Sequence, residues 1–162
     1  MSKLFCISIF FFAFMGEINA QEKNEINWLT FHQLEDSLEV QPKKVIIDFY
    51  ADWCAYCKKM KRVAFKNPAV VAAIKQDYYA VKMNVETRDS IHFGGAIFTN
   101  KEYGKSRSPK HELALLLASR KNTPFSLPAI IFLDKDFRVA NRYFEYLNSK
   151  KMMEAINTAD SL

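Results

Sequence analysis

Trp53-Cys54-Ala55-Tyr56-Cys57-Lys58 sets two thiols two residues apart, at the point where an apolar strand gives way to a helix. Val45-Ile46-Ile47-Asp48-Phe49-Tyr50 is a β-branched and aromatic run suited to a buried strand, and Lys58-Lys59-Met60-Lys61-Arg62 consists of good helix formers. The junction puts Cys54 at a helix N-terminus. There the unpaired backbone N–H groups and the positive end of the macrodipole stabilise a thiolate, the nucleophile of disulfide exchange. A Cys-x-x-Cys pair can also be half of a zinc site, but a structural zinc ion needs four ligands, and His32, His92 and His111 are scattered. Spacing and context together favour sulfur redox chemistry, with no metal at the site.

The first twenty residues address the chain. Lys3 gives a minimal positive region, Leu4 to Met15 an apolar stretch, and Ala20 ends a polar segment, the pattern of a signal peptide over residues 1–20. The stretch is shorter than the about 20 apolar residues of a membrane span. A periplasmic or secreted protein is expected, with cleavage near Ala20. Of the three cysteines, Cys6 leaves with the signal and Cys54 and Cys57 remain. A loop closed over two residues constrains the unfolded chain little, so this pair serves chemistry rather than stapling. Residues 21–162 suit one domain. The net charge of +5 is carried by dispersed basic residues without a nucleic-acid motif, so nucleic acid is not an expected partner. Lys58, Lys59, Lys61 and Arg62 lie near the thiols and can lower the pKa of Cys54.

Along the rest of the chain, Ile26-Asn27-Trp28 reads as a short strand. Thr30 with Gln33 is a capping box for a helix through about Val40, which Pro42-Lys43-Lys44 breaks. The Val45–Tyr50 strand and the active-site helix follow, then Asn67-Pro68 opens a helix over Ala69–Gln76, and Tyr79–Asn84 alternates as a strand. The C-terminal part supplies an Ala129–Leu133 strand, an Asp134-Lys135-Asp136 turn, a Val139–Phe144 strand and a helix from about Ser149. The segment of about 85–123 is extra chain. Ile91–Phe98 reads as a hairpin turning at Gly94-Gly95, and Ser108, as N-cap before Pro109, starts a helix whose apolar face is Leu113, Leu115, Leu116 and Leu117. This segment is read as a cover for the sheet edge, the alternative being a cap or docking surface that selects partners.

Asp48 through Lys58 resembles the strand-to-active-site segment of the thioredoxin superfamily. Within it, the Trp-Cys-x-x-Cys-Lys-x-Met form, with Trp28 upstream, is most similar to exported thioredoxin-like proteins and to the periplasmic C-terminal domain of the transmembrane thiol-disulfide interchange protein. The resemblance implies an α/β thioredoxin fold, a central mixed sheet flanked by helices with a hairpin-plus-helix insertion before the cis-Pro strand. It assigns Asp48 to the buried acid behind the second cysteine, Trp53 to the aromatic before the first, and Pro128 to the cis-proline facing the disulfide. Sequence alone favours a trans bond there, since only about one X-Pro bond in twenty is cis; the resemblance reverses this and offers the Leu127 backbone to a substrate strand. Pro124, ahead of the apolar run, is the less apt choice.

On this reading Cys54, nearer solvent, attacks a substrate disulfide, and Cys57, buried one turn later, resolves the mixed disulfide. Asp48, an uncompensated buried carboxyl with a raised pKa, takes the Cys57 proton. The uncharged Ala55-Tyr56 pair points to a reductase of cysteine-containing exported proteins, a monomer with no cofactor beyond its own disulfide and with a separate membrane or periplasmic electron donor. The alternatives are a disulfide oxidase or isomerase, or a copper or zinc delivery module using the Cys pair with Met60 or a histidine.

Overall fold

Thr30 and Gln33 close the expected capping box. The Thr30 hydroxyl accepts from the Gln33 N–H at 3.2 Å and the Gln33 side chain accepts from the Thr30 N–H at 2.9 Å. The structure is a computed structural model that describes residues 25–160, so the signal-peptide reading of residues 1–20 falls outside the described residues. In chain order the elements are β1 (Trp28–Leu29), α1 (Phe31–Val40), β2 (Lys44–Tyr50), α2 (Ala55–Val63), α3 (Pro68–Asp77) and β3 (Tyr78–Asn84), followed by β4 (Ile91–Phe93), β5 (Ala96–Phe98), α4 (Glu112–Ala118), β6 (Ala129–Leu133), β7 (Val139–Tyr143) and α5 (Ser149–Asp160).

Five strands form one mixed sheet in the order β1-β3-β2-β6-β7. β1 and β2 both run parallel to β3, whereas β6 is antiparallel to β2 and β7 to β6. Helices cover both faces because β2 is apolar on both: Ile46 packs with Met60, Val70, Ile74 and Met152 of α2, α3 and α5, while Val45, Ile47 and Phe49 pack with Phe31, Leu34, Leu113 and Ala114 of α1 and α4. Such two-sided burial is what parallel strands of an α/β sheet require. Asn67 caps α3, accepting from the Ala69 N–H at 3.0 Å, with Pro68 in the first turn.

The hairpin turns where Gly94 and Gly95 take φ of 60° and 73°, values that cost an L-residue dearly. It lies against α1, with Phe93 edge-on to Phe31 at 5.3 Å and the Gly94 N–H bonded to Glu35 at 2.7 Å.

Two expectations are corrected. The first strand pairs at Trp28–Leu29 and not Ile26–Trp28, since its partners in β3 are Ala80 and Val81 and Ile26 instead enters the core. The fourth helix starts after His111, whose Nδ1 accepts from the Leu113 N–H at 3.2 Å, and not at Ser108-Pro109. The Ser108 hydroxyl is diverted to Glu86, the Lys110 N–H to Glu102, and the His111 N–H to the Val85 carbonyl, which holds this stretch out of the helix. The buried face of α4 is accordingly Leu113, Ala114 and Ala118, with Leu116 64% exposed. Part of the 85–123 segment thus builds the core itself.

Candidate active site

Cys54 is the N-cap of α2. The strand β2 ends at Tyr50, the Cys54 N–H bonds to the Ala51 carbonyl at 3.0 Å, and the Cys54 Sγ accepts from the Cys57 N–H at 3.1 Å. Helix geometry brings the second thiol beneath the first, and the two form a disulfide with an S–S length of 2.07 Å. An N–H aimed at Cys54 Sγ and the positive helix end both favour negative charge on that sulfur when the pair is reduced. The expected difference in exposure is absent: Cys54 is 4% and Cys57 5% exposed. With the disulfide closed, both residues belong to the cluster that holds Phe49, Ala51 and Ala129; what distinguishes them is the N–H that Cys54 Sγ accepts and the cleft that Cys57 lines.

Asp48 lies in the middle of β2, 2% exposed. It is not uncompensated as expected. Lys82 stands opposite it in the parallel register, with Nζ 3.3 Å from Oδ2, while Oδ1 has no hydrogen-bond partner. Burial outweighs the attraction of Lys82 and pushes the carboxyl up from 3.8 to about 6. The Lys82 ammonium also sits 4.8 Å from the Tyr50 ring and 5.3 Å from that of Trp28. It lines a cleft of about 210 Å³ together with Cys57, Asp52, Lys58 and Lys61. That cleft has room for several waters beside Cys57 and Lys82, with Asp48 behind Lys82 and not in its lining.

Around the disulfide, Trp53 and Tyr56 are each 61% exposed. The Trp53 indole N–H donates to Glu86 Oε1 at 2.7 Å, and Tyr56 stands beside Tyr146 with ring centroids 6.1 Å apart. The Leu127–Pro128 bond is cis, and Leu127 packs on the cluster that contains both cysteines. Arg120 holds the approach to this bond, donating to Ser126 Oγ at 2.8 Å with its guanidinium 4.0 Å from the Phe144 ring centroid. Met60 is fully buried in the cluster on the other face, away from the cysteines. Among the described residues no three His, Cys, Asp or Glu side chains converge as a metal site would need.

Sequence reasoning missed Lys82, Glu86 and Arg120. A signal existed for Lys82, a cation between Val81 and Met83 in a strand otherwise fit for burial; Glu86 and Arg120 act through partners that only the fold brings near.

Disulfide exchange is the chemistry this arrangement performs, and the class it defines is that of the thiol-disulfide oxidoreductases. The chain belongs to the thioredoxin-like family, whose family model matches residues 31–135. Thiol:disulfide interchange protein DsbD of Vibrio vulnificus is 38% identical over 61 residues, 34% of this chain and 10% of the relative. The protein of the same name in Escherichia coli is 33% identical over 82 residues, 48% of this chain and 14% of the relative. The chain therefore spans only 10% to 14% of the length of these curated relatives. Among solved structures, a thioredoxin from Thermus thermophilus superposes with a TM-score of 0.59 at 15% identity, covering 84% of this chain and 88% of that one. The C-terminal domain of Neisseria meningitidis DsbD in the oxidised form gives 0.50 at 19%, covering 79% and 90%. At these identities the likeness is one of fold, and the fold is the α/β thioredoxin fold.

Proposed function

We propose that the protein is an exported disulfide reductase of cysteine-containing proteins. The observation that carries the reading is the setting of Cys54: its sulfur receives one backbone N–H and the helix end, while Ala55 and Tyr56 add no charge between the thiols. This stabilises a thiolate moderately and leaves the oxidised form favourable enough for the dithiol to give up electrons. Export is supported by the signal pattern of residues 1–20.

The reduced Cys54 thiolate attacks one sulfur of a substrate disulfide. A Cys54–substrate bond forms, and the other substrate sulfur leaves as a thiolate and takes a proton. Cys57 then passes its proton to Asp48 and attacks Cys54 Sγ, which closes the Cys54–Cys57 bond and releases the second substrate thiolate. That thiolate takes the proton held on Asp48, so the substrate has gained two electrons and two protons, one from Cys57 by way of Asp48 and one from solvent. A separate membrane or periplasmic donor returns them to the dithiol. Trp53, Leu127 and Pro128 form the surface that receives the substrate chain, and the protein acts as a monomer.

Equilibration with a glutathione buffer tests the direction of flow. The potential is expected nearer thioredoxin's about −270 mV than the about −120 mV of a strong oxidant, and a value above about −180 mV would reassign the protein to disulfide formation or isomerisation. A Cys57→Ser variant, unable to resolve, should trap its clients as mixed disulfides on Cys54.

A further inference from the structure

The segment between β3 and α4 reaches the rim of the disulfide, although its hairpin does not. Glu86 joins the two: one carboxylate oxygen accepts from the Trp53 indole at 2.7 Å and from the Ser108 hydroxyl at 3.2 Å. Asn100 anchors the same loop to the Thr87 carbonyl at 3.0 Å, and the chain then turns tightly through Gly104, which has a φ of 75°. The turn presents Tyr103 to solvent with the Arg88 guanidinium 6.0 Å from its ring.

The charges here are unevenly matched. Arg88, Lys105 and Arg107 are exposed and make no ion pair among the described residues. The segment's carboxylates accept from neutral donors, Glu86 as above, Glu102 from the Lys110 N–H at 3.0 Å and Asp89 from the Thr87 hydroxyl at 2.6 Å, and they are outnumbered, three against five Lys and Arg over residues 85–111. On the α2 side of the disulfide, Lys58, Lys61 and Arg62 are likewise exposed and unpaired. A surplus of cations on a surface that also exposes aromatic rings fits a partner of opposite sign.

We propose that the loop of residues 101–107 and the exposed face of α2, which carries Tyr56, form one docking surface, with Trp53 between them, for an acidic polypeptide segment that carries the target disulfide. The chemistry of the surface chooses the occupant: unpaired cations select carboxylates, the rings take polypeptide bulk, and the Cys54–Cys57 pair requires sulfur. The proposal rests on the exchange activity argued above.

The test uses the reduced protein and three disulfides: a peptide with Glu beside its disulfide, the same peptide with Lys, and uncharged hydroxyethyl disulfide. The Glu peptide is expected to react about tenfold faster than the Lys peptide near 0.01 M salt, roughly, and to lose that advantage near about 1 M, where the Debye length falls to about 3 Å. Lys105→Glu combined with Arg107→Glu should cut the Glu-to-Lys rate ratio about tenfold. Equal rates for the two peptides with the parent protein would overturn the proposal, as would a ratio that the double variant leaves unmoved. No reaction even with hydroxyethyl disulfide would instead overturn the exchange reading on which it stands.

Discussion

Lys82 Nζ lies 3.3 Å from Asp48 Oδ2, directly across the parallel β2–β3 register, and the pair couples a carboxyl with no access to bulk water to a cation that lines the cleft beside Cys57. Burial still dominates, so the carboxyl ionises at about 6 instead of 3.8.

Asp48→Asn is expected to stabilise the fold in a pH-dependent manner. A carboxyl whose native pKa is raised favours folding below its unfolded pKa, and that contribution disappears as pH rises through about 6. At pH 8 the ionised group therefore costs on the order of 3 kcal/mol, which Asn removes, and at pH 3 the two proteins should be nearly equal. Urea unfolding at both pH values checks this. Mixed-disulfide resolution should slow in the same variant.

Lys82→Met removes the one interaction that lowers the Asp48 pKa. The pH midpoint of the resolution step, followed by single-turnover quenching, should move in the alkaline direction. An unmoved midpoint would show that Asp48 is not the proton acceptor.

His111 contributes an opposite limb. Its Nδ1 must accept from the Leu113 N–H, which places the proton on Nε2, 3.1 Å from the Asp89 carbonyl; burial then lowers its pKa despite Glu112 and Asp89 nearby. Because the unfolded chain takes up this proton first, stability should fall as pH drops below about 6.5, by up to about 1.4 kcal/mol per pH unit until the native state also protonates. His111→Asn, still a competent cap, should abolish that slope in the Asp48→Asn background, where the carboxyl no longer masks it.

Glu86→Ala should shift the Trp53 indole N–H resonance and lower the exchange rate with protein substrates several-fold, about the loss of one oriented contact. Glu86→Gln retains an acceptor oxygen and should recover most of both, which a purely charge-based role would not allow.

In the reduced protein, iodoacetamide at neutral pH should modify Cys54 at least about tenfold faster than Cys57, since only Cys54 holds the capping N–H.

What the sequence made legible was local. The Thr30–Gln33 box, the apolar run of β2, the Gly94-Gly95 turn and Cys54 at the helix start each depend on neighbours within a few residues. The failures were distant. Ser108 looked like a cap because its partner Glu86 is 22 residues away, and Asp48 looked uncompensated because Lys82 meets it only through strand register. The equal burial of Cys54 and Cys57 was not legible either, because Phe49, Ala51 and Ala129 come together around the pair only in the fold.

The two margins of the sheet carry a further consequence, for behaviour in concentrated solution. On one side β1 contributes only two residues, too short a row of free backbone groups to template another chain. On the other, β7 is longer but carries Arg142, and its ladder with β6 shifts register between Phe132 and Leu133, which interrupts the regular edge. Strand β1 and strand β7 are thereby each a poor acceptor for a foreign strand, which limits edge-to-edge addition of crowded copies at those two strands.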